Sequence, residues 1–542
     1  MVRCFPRFPA AAFTPVVAVA VTLVALTALL SPAAVAQEAA DLERIGYYET
    51  ALGDYDYRIS SSVDSTRLFF SQGVQMMYAF TKRDAARSFR TAAELDPTCA
   101  ICHWGEAWAW GPYLNGPMNA QDAQYAVHAA RRAAELRSSA DPRERALIDA
   151  IGIRYAVPYD RAEQARRDTL YAEALEGVVR QFPDDLDVAT LYAEALFLLE
   201  PRRGNRDVND PDVIRLHTVL EDILARDITH PGACHLYIHA TESSQEPARA
   251  EACSEYLADA MPGASHINHM PSHTWNEIGR WGDAVRANIK AWHADQRAAW
   301  GEGFAIYPSH NLHMLLFAGS MDGQGGVATQ AGRDYTVLTG NSMYEAMTLV
   351  RFGRFSEVAG VEAPDRGGDV AHGLWSFSQG YAALKEGRRM DALRHLAFVE
   401  ALADTSSGRF RFHSAEQLLG SARHLLAGEM ARMDGDLDDA IRHFELAVAF
   451  EDALDYDEPE PLPFDARHWL GSALLAADRP ADAEAVYRTE LEDHPRNGWS
   501  YFGLWKALEA QGPSRAADAE AARAAFQTAW ARADIWLRDS RF

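Results

Sequence analysis

Small residues, aromatics and prolines recur along this chain at a fixed offset, which limits its fold more than any other feature. Over residues 465–495, Leu470-Gly471, Ala483, Tyr487 and Pro495 occupy positions 7, 8, 20, 24 and 32 of a 34-residue helix–turn–helix unit. The same ruler fits Gly73, Ala85, Phe89, Ala92 and Pro97, then Gly380, Gly387 and Ala392, then Gly428, Gly435, Ala440, Phe444 and Ala447. Small residues at positions 8 and 20 let the two helices of a hairpin approach, while positions 24 and 27 plug the gap to the next hairpin. One hairpin cannot bury its own apolar faces, so the units must stack. The expected fold is all-α, a right-handed superhelical solenoid of about 9 to 11 hairpins at ~34 residues each. Longer insertions are expected at 111–119, 202–211 and 455–463, and a weak stretch at 341–370, where RFGRF (351–355) reads as a helix end and turn.

The first residues read as a secretory leader. Arg3 and Arg7 precede an apolar run from about Ala10 to Leu30, and Ala34-Val35-Ala36 offers a small-residue cleavage site. An uncleaved anchor is the alternative, because the run nears spanning length. Cleavage after Ala36 leaves 506 of the 542 residues, and the loss of two arginines takes the net charge from −25 to −27. That charge argues against nucleic acid and anionic membranes as partners, and no later segment is apolar enough to span a bilayer. The expected divisions are 1–36 leader, 37–60 extended segment, 61–340 N-terminal solenoid with a His-lined groove, and 341–542 C-terminal solenoid. The expected location is periplasmic or extracellular. Cys99, Cys102, Cys234 and Cys253 remain after cleavage, and an oxidising compartment permits disulfides; Cys234 and Cys253 suit a pair if they sit on the two helices of one hairpin.

The histidines carry the chemistry. His235 and His239, then His266, His269 and His273, then His310 and His313 are spaced three or four apart, so each set shares a helix face. His235 to His269 and His239 to His273 are both 34 residues, one repeat. With Ala284 and Ala291 at positions 20 and 27, His266, His269 and His273 fall at positions 2, 5 and 9. Ala250 at position 20 puts His235 at 5, His239 at 9 and Glu242 at 12; Ala328 at 20 puts His310 at 2 and His313 at 5. Those positions lie on first helices and line the concave groove. Seven imidazoles and a carboxylate on three adjacent helices suit Zn, Cu or Fe, which need three or four converging donors. Polar groove lining for a partner explains one such histidine, but explains seven less well.

Two other stretches bear on function. Cys99-Ala-Ile-Cys102-His103 matches the CxxCH pattern of covalent c-type haem attachment, with two thiols for the vinyl groups and His103 as iron ligand. A disulfide or free thiols beside a packed histidine explain it without haem. The acidic run from Glu451 to Glu460 reads as a solvated loop, with a cation site as the alternative.

The runs LDPTCAICHWGEAWAWGP, HLYIHATE, MPGASHINHMPSHTWNEIGRW and YPSHNLHML, with the C-terminal NGWSYFGLWKAL and SRF, resemble a group of large exported bacterial tetratricopeptide repeat proteins. The resemblance covers nearly the whole chain after the leader. It implies the solenoid fold and export, and brings no activity with it. The group has DPxCAMCYWG, with Tyr in place of His103, which counts against haem as a common property.

Four functions follow from these residues: a scaffold with a metal site in its groove, a plain scaffold gripping a protein or peptide there, a metal-dependent enzyme with Glu242 as base or ligand, and a monohaem protein. The HxxxHxxE of 235–242 is not the HExxH of zinc proteases, and no GxSxG, P-loop or dinucleotide fingerprint occurs in a fitting context.

Overall fold

A computed structural model describes residues 44–201 and 204–542. The leader expected at 1–36 lies outside the described residues, as does the start of the extended segment. From Asp64 onward the chain is a succession of antiparallel helical hairpins, beginning with Asp64–Tyr78 against Lys82–Leu95 and ending with Gly498–Ala510 against Ala516–Ala529. It is an all-α helical-repeat solenoid. Twelve such pairs occur among the described residues, slightly more than expected, because the fragment Phe355–Val358 makes a shortened hairpin with Met343–Arg351. That shortened unit is the weak stretch of the sequence, and Gly353 makes its turn at φ +66°.

The repeat ruler has a direct physical meaning. A Cβ on Gly73 would come within 2.6 Å of the Phe89 ring, and one on Gly105 within 2.5 Å of the same ring. Tyr487 likewise fills the space over Gly471 and Gly503, and Phe444 the space over Gly428. Each position-24 aromatic is thus seated on the glycine of its own hairpin, and for Phe89 and Tyr487 on the glycine of the next as well. Any side chain at those glycines would push the helices apart.

Two large apolar cores run along the solenoid, one built from residues 45–304 and the other from 275–522. They overlap at the hairpins carrying the histidines. Segments distant in sequence close over this middle region. The stretch from Arg44 to Val63 crosses from one hairpin to another, with Gln75 Nε2 donating to Gly53 O at 3.1 Å and Gly263 N to Ala51 O at 2.8 Å. At the other end the chain folds back: Trp281 Nε1 donates to Pro495 O at 3.0 Å, Trp499 Nε1 to Ser320 O at 2.9 Å, and Asp534 accepts from the N–H groups of Gly325 and Gly326, both at 2.8 Å. The last contact caps the helix Gly325–Thr339 from more than 200 residues away. No described helix is long and apolar enough to cross a membrane.

Candidate metal centre

Three consecutive first helices bring the histidines together. On Pro231–Thr241, a proline suits the first turn, and the His230 ring accepts from Ala233 N at 3.1 Å to cap it. His235 and His239 then lie one turn apart with ring centroids 5.0 Å apart. On the next hairpin, Pro271 lacks an N–H and splits the helix into Ser265–His269 and Pro271–Glu277. Met270 between them keeps φ −50° and ψ −40°, so the axis continues. His269 and His273 still share a face, with their Nε2 atoms 2.9 Å apart. His310 on Pro308–Met321 closes the set, its ring 4.7 Å from that of His269 and 5.8 Å from that of His273.

His266 sits between the two ends, 4.9 Å from the His235 ring and 5.4 Å from the His269 ring. Within each of three overlapping sets the donor atoms lie inside 4.8 Å of one another: His235, His239 and His266; His269, His273 and His310; and His239, Glu242, His273 and Glu458. Glu242 is fully buried and touches two helices' imidazoles at once, its Oε1 2.9 Å from His239 Nδ1 and its Oε2 2.6 Å from His273 Nδ1. A carboxylate on Nδ1 orients each ring and raises the basicity of the opposite nitrogen, as in carboxylate–histidine–metal arrangements.

The surroundings keep the imidazoles neutral. Phe80, at φ +61°, lays its ring 4.3 Å from that of His235 and 5.2 Å from that of His266. His235 Nδ1 donates to Tyr78 O at 2.5 Å, which leaves Nε2 as the lone-pair nitrogen; that atom is buried without a hydrogen-bond partner. Neither nitrogen of His266 has a partner, though the residue is 2% exposed. Burial first, and neighbouring imidazoles second, hold His235, His266 and His269 well below the ordinary histidine range; burial does the same for His310. Neutral imidazole is the ligating form, so burial prepares these rings for a metal.

The structure departs from the sequence reading in two places. His313, expected in the same patch, turns to the following hairpin, where its Nε2 is 2.7 Å from Tyr344 OH. Residues three apart on a helix diverge by about 60° in direction, and Tyr344 captures the one facing away. Nor do the histidines line an open groove: all but the half-buried His310 are buried, His235 and His266 against Phe80 and His273 against the chain's own acidic loop. That loop is the second departure, because it is no simple solvated excursion. A two-residue β-pair, Arg409–Phe410 with His413–Ser414, projects Arg411 and His413 onto buried Asp457, at 2.7 and 3.2 Å. Arg411 Nη1 also donates to Glu458 O at 2.8 Å. These contacts hold Glu458 with its Oε2 3.9 Å from His273 Nδ1. Glu458 is therefore a candidate ligand that the histidine spacing did not reveal; its only signal was membership of the acidic run.

Below the loop lies a cavity of about 330 Å³ that reaches His273 and Glu458 on one side and Asp465 and His494 on the other. Its walls include nine carboxylates and one arginine, so it favours cations. Burial and the nearby Glu460 raise the Glu277 carboxyl on this wall to about 8.

No protein-family model matches the chain. No curated protein matches its sequence. Among solved structures it is similar to the APC/C hetero-tetramer Cut9-Hcn1 (13% identity, 83% of this chain and 78% of that one, TM-score 0.29). It is also similar to yeast Tom70 (12%, 87% and 92%, 0.27) and to the P58(IPK) TPR domain (11%, 82% and 98%, 0.22). Scores this low carry nothing about function, and the fold stands on the hairpins themselves.

At the CxxCH stretch the structure shows the disulfide alternative. Cys99 caps the helix Ala100–Trp110, and its sulfur is joined to that of Cys102, so the pair presents no thiol for a haem thioether. His103 is partly buried, and burial lowers its pKa. Cys234 and Cys253 sit on the two helices of one hairpin, the condition set for their pairing, and are joined there.

Proposed function

We propose that this is an exported helical-repeat protein whose purpose is to hold transition metal, Zn, Cu or Fe, in a buried imidazole centre. His235, His239, His266, His269, His273 and His310 supply the donors, with Glu242 and Glu458 as orienting or ligating carboxylates. One observation carries the reading: His266 is buried among five other imidazoles with neither nitrogen hydrogen-bonded. A fold meets that cost when a ligand satisfies the nitrogen. Three convergent imidazoles suit Zn, Cu or Fe better than hard cations. The two disulfides support an oxidising compartment and hence the leader reading. Elemental analysis of tag-free protein should find stoichiometric transition metal. Protein that purifies without metal and takes up none on reconstitution with Zn, Cu and Fe would end the proposal.

The cavity favours a second reading, a metal-dependent enzyme. It opens one side of the centre at His273 and Glu458, where a small molecule would take a coordination position, and Glu277 is a proton carrier near neutrality on the same wall. Azide added to the Co-substituted protein should then shift its visible spectrum; an unchanged spectrum would favour storage or structural metal. A protein or peptide partner is the third reading, bound away from the buried histidines. The haem reading is tested by the Soret band of protein from cells competent for haem attachment.

A further inference from the structure

Across the cavity from the imidazole centre, three further side chains converge. Asp465 begins the helix Ala466–Ala476, Glu490 lies on Pro480–Asp493, and His494 follows that helix. One donor atom from each lies within 4.8 Å of the others, and all three residues are at least 94% buried, with exposures of 6%, 0% and 6%. His494 turns its Nδ1 toward both carboxylates, 2.9 Å from Glu490 Oε1 and 3.7 Å from Asp465 Oδ2. Its other nitrogen, Nε2, is held by Glu460 Oε1 at 3.3 Å. This is the geometry in which a carboxylate orients an imidazole for a metal on its far side.

Two independent observations point to a cation there. Glu490 Oε2 is buried without a hydrogen-bond partner, a costly state for a carboxylate oxygen. Of the nearby arginines, Arg467 pairs with Asp452 at 2.7 Å and Asp493 at 3.5 Å, and Arg351 lies 3.7 Å over the Trp499 ring without an ion pair to either carboxylate. Among the described residues no lysine or arginine comes within ion-pair distance of Asp465 or Glu490. The one cationic partner these two buried carboxylates have close by is the proton that His494 carries between them and Glu460, and a divalent cation displaces that proton when it takes the imidazole as a ligand.

We propose that Asp465, Glu490 and His494 form a second metal site, for a divalent cation of harder character such as Mn²⁺. The site is distinct from the imidazole centre and faces the same acid-walled cavity. Two carboxylates and one imidazole make an oxygen-rich set of the kind that suits Mn²⁺, whereas an all-imidazole set suits Zn, Cu or Fe. Mn²⁺ therefore separates the two sites.

The test is an electron paramagnetic resonance titration of chelator-stripped protein with Mn²⁺, reading the free-ion signal. Wild type and His269→Ala/His273→Ala should each take up one Mn²⁺ per chain, and Asp465→Asn/Glu490→Gln should bind it at least tenfold more weakly. No stoichiometric uptake by wild type, or undiminished uptake by Asp465→Asn/Glu490→Gln, would overturn the proposal. So would uptake lost only in His269→Ala/His273→Ala, which would move the ion to the imidazoles. Should the carboxylate variant misfold, anomalous scattering from Mn²⁺-soaked wild-type crystals decides: a peak between the three side chains supports the site, and its absence there refutes it. Wild type that takes Mn²⁺ but no Zn, Cu or Fe would instead refute the imidazole centre and leave this site standing.

Discussion

The two walls of the central cavity solve the problem of buried polar groups in opposite ways. On the imidazole side, built by Pro231–Thr241, Ser265–Glu277 and Pro308–Met321 and reaching the cavity at His273, burial drives bases toward their neutral form, and the histidines become lone-pair donors. On the wall built by the 451–464 loop and the helices that follow it, burial pushes the Glu451 and Glu490 carboxyls well up, while the surrounding carboxylates push His494 up as well. One side gathers neutral nitrogen donors around the single carboxylate of Glu242; the other concentrates acid around His494. The difference shows that helix-groove positions of one repeat type acquire their chemistry from what covers them.

The largest effect that tests this contrast is on metal. His269→Ala/His273→Ala removes a pair whose Nε2 atoms are 2.9 Å apart. It should abolish stoichiometric Zn or Cu, with affinity down by on the order of 10²-fold or more, as read by competition with a chromophoric chelator. Retained metal would mean that the imidazole wall is not the transition-metal site.

Next comes acid. The lowered imidazoles 235, 266, 269, 310 and 313 bind fewer protons folded than unfolded, so their contribution is present above the unfolded histidine pKa of about 6.5 and is lost as pH falls below it. The raised carboxyls of Glu277, Glu451 and Glu490 have the opposite sign, contributing most at low pH and losing it as pH rises. Lowered imidazoles, His424 and His468 among them, outnumber raised carboxyls such as Asp295 and Glu194 among the described residues, which predicts net destabilisation of metal-free protein between pH 6.5 and 5. Each lowered imidazole accounts for up to about 1.4 kcal/mol per pH unit. Thermal melting should show this slope reduced in His235→Gln/His266→Gln; an unchanged slope would mean those rings are not neutral and buried.

Arg411→Ala tests what joins the walls. Arg411 holds Asp457 at 2.7 Å and the Glu458 carbonyl at 2.8 Å. Its removal leaves Asp457 paired with His413 alone and should cost about 2–3 kcal/mol, with hydrogen exchange rising across 455–460. Exchange that stays slow there would show that the loop is held by something else. Smallest of the four, Glu242→Gln keeps the shape but weakens the carboxylate bridge between His239 and His273. A 10–100-fold loss of metal affinity is expected with melting little changed; no loss would remove Glu242 from the site.

The repeat was legible because its signal is local: Gly73 and Phe89, or Gly471 and Tyr487, lie 16 residues apart and meet within one hairpin. The six centre histidines were legible for the same reason, since helix spacing and the 34-residue period place them without further information. His313 was misplaced because spacing gives a face but not the neighbour that captures a ring. Glu458, Asp465, Glu490 and His494 were missed as ligands because they reach the cavity through a loop whose path depends on Arg411, His413 and the helices behind it. Nothing within a few residues of Glu458 announces that it will meet His273, 185 residues earlier.

The amino-acid sequence by itself determined the helical hairpins, their stacking, and the gathering of imidazoles on three neighbouring first helices, because periodicity and small-residue placement act over tens of residues. Only the tertiary structure decided that those imidazoles are buried rather than groove-lining, that one of the seven turns away, and that an acidic loop and a carboxylate wall meet the centre at His273. Those outcomes depend on chain segments brought together across the whole solenoid, where burial and long-range contact set which groups are charged.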